Sequence, residues 1–309
     1  MTTGSVLVVG ATGNLGGKVV RELLGRDKRV RALVRQGSDA TKLTQQGVEV
    51  VRGDLTQPAS LGPALDGVDA LVTTAAGYVR RRRGDTLRSV DDQGNRHLIE
   101  AASHARLGRF VFTSVLAADQ ARGVPHFYQK YLIEQALEAS GLPFVALRPG
   151  GFIDTGLNPA QIRRGLLTAV GNPETPQTAV LTDDVARVLA LAVDEPRAVG
   201  QRIDLGTDRP ASFAETARVL SRLLEREVKV RRLPLGVAHL LLSTMNVFKP
   251  GLRDYVPMFE FIATGRFVAD TSRQLELFGP VPSLEEALTQ WLSEVGLRPI
   301  QTVRLSSLP

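Results

Sequence analysis

In the first half of the chain, short apolar runs alternate with longer segments whose apolar residues recur every three to four positions. Residues 5–9 (SVLVV) read as a buried strand, and residues 14–25 as a helix with Val19, Val20, Leu23 and Leu24 on one face. The alternation continues with strands at 30–34, 48–51, 70–74, 109–114 and 144–147, and helical segments at 40–46, 61–65, 90–105 and 128–139. Parallel neighbours need a long crossover, so strands separated by helical segments predict βαβ units and a parallel sheet. Strands that are apolar at every position, rather than every second one, fit a sheet covered on both faces.

After Pro149 the pattern loosens. Residues 183–193 predict a helix, with Thr182 or Asp183 as its cap. Residues 201–205 predict a further sheet strand, 213–225 a helix, 228–233 an alternating strand and 283–295 a last helix. No internal repeat or low-complexity linker divides the two parts. The expected organisation is an α/β core over residues 1–155, continued by 179–206. A smaller C-terminal lobe, formed by 156–178 and 207–309, is interleaved with it.

Composition then removes several classes of chemistry. The 309 residues include no cysteine, which excludes disulfides, thiolate nucleophiles and zinc sites built on sulfur. The histidines, His97, His104, His126 and His239, lie too far apart in sequence for a histidine metal motif, so no metal is expected. No apolar run reaches roughly 18 residues, and the N-terminus runs into glycines without a signal-like stretch; a cytoplasmic protein with no membrane span is expected. The net charge of +6 favours anionic ligands. The one basic run, Arg80 to Arg83, has no interleaved aromatics and no DNA-binding motif beside it. It reads as a solvated or anion-recognising loop rather than a nucleic-acid contact. Phe152, Phe248, Tyr255, Phe259, Phe261 and Phe267 concentrate aromatics in the second part of the chain. They suit either an apolar substrate pocket or that lobe's own core.

The strongest chemical signal is Gly10-Ala-Thr12-Gly13-Asn14-Leu15-Gly16, which follows the first strand and opens the first helix. In that context Gly10 permits a tight turn, Gly13 lets the backbone approach a pyrophosphate, and Gly16 lets helix and strand pack closely. The free N–H groups and positive dipole end of the helix complete an anion site. The residue ending the second strand discriminates between dinucleotides. NAD sites place a carboxylate there for the ribose 2′-hydroxyl. This chain has Arg35, which can pair with a 2′-phosphate, with Ser38 or Lys42 assisting. NADP(H) is therefore the expected cofactor. Asp54 and Leu55 after the third strand would lie beside the adenine, and Ala75 and Ala76 after the fourth where the cofactor crosses the strand ends.

With these residues in line, the chain resembles the short-chain dehydrogenase/reductase superfamily, and within it the atypical NmrA-like branch. The resemblance is carried by the glycine turn, Gly53-Asp54-Leu55, Val90-Asp91-Asp92-Gln93-Gly94-Asn95, Phe112-Thr113-Ser114-Val115, Lys130, Glu134 and the stretch from Ser140 to Arg148-Pro149-Gly150. Thr182-Asp183-Asp184-Val185-Ala186 and Phe278-Gly279 extend it. It implies a doubly wound parallel Rossmann sheet with a small C-terminal substrate-binding lobe. In catalytic members a Tyr-x-x-x-Lys pair and a Ser transfer the proton, and the lysine also holds the nicotinamide ribose. Lys130 fits the lysine and Ser114 the serine, but the tyrosine position is His126; Tyr128 and Tyr131 are out of register. His126 either takes over proton transfer, a task imidazole suits, or only fills space and contacts substrate. The implied function is an NADP(H)-dependent oxidoreductase acting on a small carbonyl, quinone or enone. The alternatives are a non-catalytic NADP(H) sensor that signals through a protein partner, and a nucleotide-sugar or isoprenoid-type epimerase.

Overall fold

A computed structural model describes residues 4–77, 84–245 and 255–297; Arg80 to Arg83 and Phe248 lie outside the described residues. The Rossmann half runs β1 (Ser5–Val9), α1 (Asn14–Leu24), β2 (Arg29–Val34), α2 (Thr41–Gln45), β3 (Glu49–Arg52), α3 (Leu61–Leu65) and β4 (Ala70–Thr73). A π-helix (Leu87–Gly94) leads into α4 (Asn95–His104), followed by β5 (Arg109–Thr113), α5 (Pro125–Ser140) and β6 (Phe144–Pro149). The remainder comprises β7 (Gly151–Phe152), α6 (Ile153–Gly156), α7 (Pro159–Arg163), β8 (Leu166–Val170), β9 (Ala179–Val180), α8 (Thr182–Leu191) and β10 (Gln201–Leu205). Then come α9 (Phe213–Leu223), β11 (Lys229–Leu233), α10 (Leu235–Met245), α11 (Val256–Ala263), α12 (Ser272–Phe278) and α13 (Leu284–Glu294).

The main sheet has seven strands in the order β10-β6-β5-β4-β1-β2-β3. Every neighbouring pair is parallel. The chain winds outward from β1 to β3, then returns to β4 on the other side of β1. This reversal opens a crevice at the carboxyl ends of β1 and β4. The burial of β1 explains its unbroken apolar run. Val6 and Val8 pack in a core with Val19, Val20 and Leu23 of α1 and Val185, Val188 and Leu189 of α8. Leu7 and Val9 face the opposite core, with Leu61 of α3, Leu98 of α4 and Ile133 of α5. A third core joins Ile162, Leu167 and Leu220 to the fully buried Trp291 of α13, while β8 and β11 pair beside it. Among the described residues, no helix is long and apolar enough to cross a membrane.

The principal strands and helices appear where the hydrophobic pattern places them, with three informative differences. The segment expected as one helix over 90–105 starts earlier, as the π-helix, because Thr86 and Ser89 cap each other's backbone N–H reciprocally. The helix expected over 128–139 starts at Pro125, whose fixed φ and missing N–H suit the first helical position. The helix after Leu181 is not capped by its own Thr182 or Asp183. Asp154 of α6 accepts from the Thr182 N–H at 3.1 Å and from its hydroxyl at 2.5 Å. A carboxylate from a distant segment thus does the capping, which local sequence could not reveal.

A buried ionic network fastens the β5–β6–β10 side of the sheet. Glu134 of α5, fully buried, accepts from Arg148 Nε at 2.9 Å and Nη2 at 2.6 Å, and from Arg202 Nε at 3.1 Å. Arg148 also pairs with Asp119 at 3.2 Å, and Arg202 with Glu138 at 2.8 Å. Removing one partner of such a buried pair commonly costs about 3–5 kcal/mol, because the other charge is stranded. Asp204 of β10 lies within the field of Arg148. Burial nevertheless pushes its carboxyl up to about 6, with Arg148 opposing. The folded state therefore holds a proton that the unfolded chain releases between those values. This contribution to stability is complete below the ordinary pKa of about 3.9 and is lost as pH rises through about 6. The thermal midpoint should accordingly fall between pH 5 and pH 7.5 more steeply in the native protein than in Asp204→Asn. Parallel melting profiles for the two would contradict this assignment.

Candidate functional site

The site is built on the turn after β1. Gly10 adopts φ +90°, a left-handed conformation that L side chains rarely adopt. Its carbonyl accepts from the Gly13 N–H at 2.9 Å. Gly16 must also be glycine, because a Cβ there would lie 2.1 Å from the Gly10 oxygen and 2.9 Å from Thr74 Oγ1. Gly13 differs from both. Its φ is −81°, and an added Cβ would meet only the Gly10 oxygen, at 3.2 Å, so its outer side is open. Gly13 caps α1 without a side-chain hydrogen bond, and no acidic residue sits in the first turn. The first N–H groups of α1 thus remain available to an anion. The residues present fit a dinucleotide pyrophosphate.

The neighbouring positions frame this turn. Thr12 and Asn14 are exposed, and Leu15 packs partly against the core below. Asn14 Nδ2 donates to Asp154 at 3.3 Å. Lys18, one turn further along α1, bonds Thr182 Oγ1 at 2.7 Å and ion-pairs with Asp183 and Asp154. Lys18 and Asp154 were not singled out from the sequence, because their partners lie more than a hundred residues away. After β4, Ala75 and Ala76 are half-buried, and the Gly77 N–H donates to Asp91 Oδ2 at 2.9 Å. Leu55 is 4% exposed and belongs to the core below the sheet.

At the end of β2, Arg35 is held between two carboxylates. Its Nε lies 3.3 Å from Asp54 Oδ2, and its Nη1 is 2.6 Å from Asp85 Oδ2. Arg52 Nη1 bonds the carbonyls of Arg35 and Ser38 at 3.1 and 2.9 Å, pinning the turn. Ser38 is half-buried and Lys42 exposed.

Across the crevice, α5 carries His126 and Lys130 one turn apart, and both are buried. Burial pushes the Lys130 ammonium's pKa down, while the charges of Asp91 and Glu134 act to raise it. Its Nζ sits 4.7 Å above the Phe112 ring. The His126 ring lies edge-on to Phe127, with centroids 4.8 Å apart, and 6.1 Å from the ring of Tyr255. Tyr128 and Tyr131 pack against each other at 6.1 Å. Ser114, at the end of β5, donates its hydroxyl hydrogen to Glu134 at 2.5 Å. That proton is committed to the ionic network.

The aromatics of the second lobe divide by burial. Phe261 and Phe267 form a core with Phe127, Leu116 and Val124, and so serve packing. Tyr255 and Phe259 are half-buried, and Phe152 packs partly against the sheet core. The sequence pattern underrated Asp91, Asp85 and Arg148. Arg148 was the detectable one: a charge inside the apolar strand FVALRP needs a buried partner, and Glu134 lies one turn from Lys130 on the same helix.

Comparison with known proteins adds three relatives. The photosystem II assembly factor Ycf39 of Trieres chinensis is 30% identical over 80% of this chain and 77% of its own length. The NAD(P)H azoreductase of Xenophilus azovorans is 30% identical over 78% of this chain and 82% of its own. The Citrobacter sp. triphenylmethane reductase, solved in complex with NADP(H), superposes with a TM-score of 0.79 at 25% identity, covering 93% of this chain and 100% of that one. The profile of the NmrA-like family matches residues 2–271. The glycine turn, the sheet order and this match over most of the chain agree: the protein is a member of the NmrA-like family.

Proposed function

We propose that this chain is an NADP(H)-dependent oxidoreductase that reduces a small carbonyl, quinone or other conjugated acceptor. The observation that carries the reading is the uncapped N-terminus of α1 beyond the left-handed Gly10, with Arg35 closing the neighbouring strand. NADPH, when bound there, supplies a hydride. The first-turn N–H groups of α1 hold the pyrophosphate, and Arg35 pairs with the 2′-phosphate. Lys130 holds the nicotinamide ribose. Burial lowers the pKa of its ammonium and Asp91 and Glu134 oppose that shift, while its Nζ lies over the Phe112 ring. His126 stands one helical turn before Lys130 and serves as the proton donor to the reduced acceptor. Two relatives named as reductases, an azoreductase and a triphenylmethane reductase, support reduction of a conjugated acceptor.

The burial of the same groups favours a second, non-catalytic reading. Ser114 spends its hydroxyl hydrogen on Glu134, and His126 is 3% exposed, so two of the three groups expected to meet substrate face protein in this structure. A relative named as an assembly factor fits a non-catalytic NADP(H)-binding protein that acts through a protein partner. An NADPH-consumption screen over quinones, aldehydes, ketones, enones and azo dyes separates the readings. Turnover supports the oxidoreductase. NADPH binding without turnover, combined with a cofactor-dependent change in affinity for a captured partner, supports the second.

Two outcomes follow from the residue roles. NADPH should bind at least about tenfold tighter than NADH, since a charge-assisted contact contributes about 1.5–3 kcal/mol, and Arg35→Ala should erase most of that preference. Calorimetric titration of both cofactors measures it; equal affinities in the native protein would refute the assignment. On a substrate found by the screen, His126→Ala should lower turnover by about 10²–10⁴ with little change in NADPH affinity. Lys130→Ala should weaken both. Full activity in His126→Ala would remove histidine as the proton donor.

A further inference from the structure

The guanidinium assigned to the 2′-phosphate already has an anionic partner from another part of the chain. Asp54 and Asp85 both reach Arg35, but they are held differently. Asp54 belongs to the turn after β3: its Oδ1 accepts from Thr56 N and Oγ1, each at 2.9 Å, and only Oδ2 extends to Arg35 at 3.3 Å. Asp85 comes from the segment before the π-helix, fifty residues away in sequence, and makes the shorter contact of 2.6 Å. It directly precedes Thr86, whose reciprocal cap with Ser89 (2.9 and 3.0 Å) fixes the start of that helix. The carboxylate is therefore delivered by an ordered element. The pair is also sheltered, with side-chain exposures of 24% for Arg35 and 13% for Asp85, so solvent screens it less than a surface pair.

A carboxylate and a phosphate monoester make the same demand on a guanidinium: anionic oxygens at hydrogen-bond distance from its N–H fork. Two anions crowded onto one guanidinium repel each other. We infer that Asp85 is a specificity-determining residue of the cofactor site, whose carboxylate takes the guanidinium of Arg35 in competition with the ribose 2′-phosphate. The inference rests on the reading that this crevice binds NADP(H). A phosphorylated adenosine must displace Asp85 from Arg35, whereas an unphosphorylated one brings a 2′-hydroxyl that can donate to a carboxylate. Asp85 thus narrows the gap between the two dinucleotides that Arg35 alone would set. Asp54, fixed in its own turn, does not need to move.

The test uses the full chain and two adenosine probes that isolate the 2′ position: adenosine 2′,5′-bisphosphate and adenosine 5′-monophosphate. Each is titrated calorimetrically into the native protein, Asp85→Asn, Arg35→Ala and the double variant, with thermal melts to confirm folding. Asp85→Asn keeps a hydrogen-bonding side chain of nearly the same shape but removes the competing charge. It should bind the bisphosphate about tenfold tighter and the monophosphate no tighter than the native protein does. The gain should vanish when Arg35 is also alanine. Asp85→Ser provides the same comparison should the asparagine variant melt early. Unchanged or weaker bisphosphate binding in a folded Asp85 variant overturns the inference, since the carboxylate would then be inert or would position Arg35 for the phosphate. Failure of the cofactor reading looks different: native protein and Arg35→Ala would treat the two probes alike.

Discussion

The architecture turns on one close approach. The backbone at Gly16 of α1 lies against the Gly10 carbonyl and Thr74, with no room for even a methyl group. That contact sets the first helix directly over the carboxyl ends of β1 and β4, where the strand order reverses. The left-handed Gly10 makes the turn possible, and the absence of a side-chain cap leaves the helix end ready for a ligand's charge. Lys18, Asp154 and Thr182 then fasten α1 to α8 on the outer face. Much of the site's geometry follows from these few backbone contacts, with side chains supplying the discrimination.

Charge is handled in the same way at both ends of the crevice: each cation is met by carboxylates from separate elements. Arg35 faces Asp54 and Asp85 at the end of β2. Lys130 lies in the field of Asp91 and Glu134 at the other, and Glu134 is itself bound by Arg148, Arg202 and Ser114. Under the proposed reading, a 2′-phosphate arriving at Arg35 meets a guanidinium already paired with two carboxylates. The helix that begins next to Asp85 also carries Asp91, so one ordered segment contributes a carboxylate to each end.

The sequence made the sheet legible because its strands are apolar on both faces and its helices keep one apolar stripe. Their boundaries shifted by a residue or a few wherever a cap decided the end, as at Thr86, Pro125 and Asp154. The glycine turn was legible because each glycine answers a local steric demand. The partners of the charged residues were not, because ion pairs such as Arg35–Asp85 and Lys18–Asp154 join positions that only the folded sheet brings together. Ser114 and His126 could be placed by resemblance, yet the bond from Ser114 to Glu134 and the ring contacts of His126 depend on three-dimensional packing. The aromatic residues of the second lobe had two readings in the sequence; burial assigns Phe261 and Phe267 to packing.

The proposed cofactor site stands or falls on the turn between β1 and α1 as the cradle of a dinucleotide pyrophosphate. Gly13 offers the cleanest access to it, because its φ of −81° suits any residue and an added Cβ meets only the Gly10 oxygen, at a close 3.2 Å that a shift of a few tenths of an ångström relieves. The direct measurement is calorimetric titration of NADPH into Gly13→Val, beside a thermal melt and a circular dichroism spectrum of the same sample. A side chain there should leave the fold intact and remove detectable NADPH binding. A folded Gly13→Val protein that binds NADPH with native affinity would contradict the account and move the cofactor away from this turn.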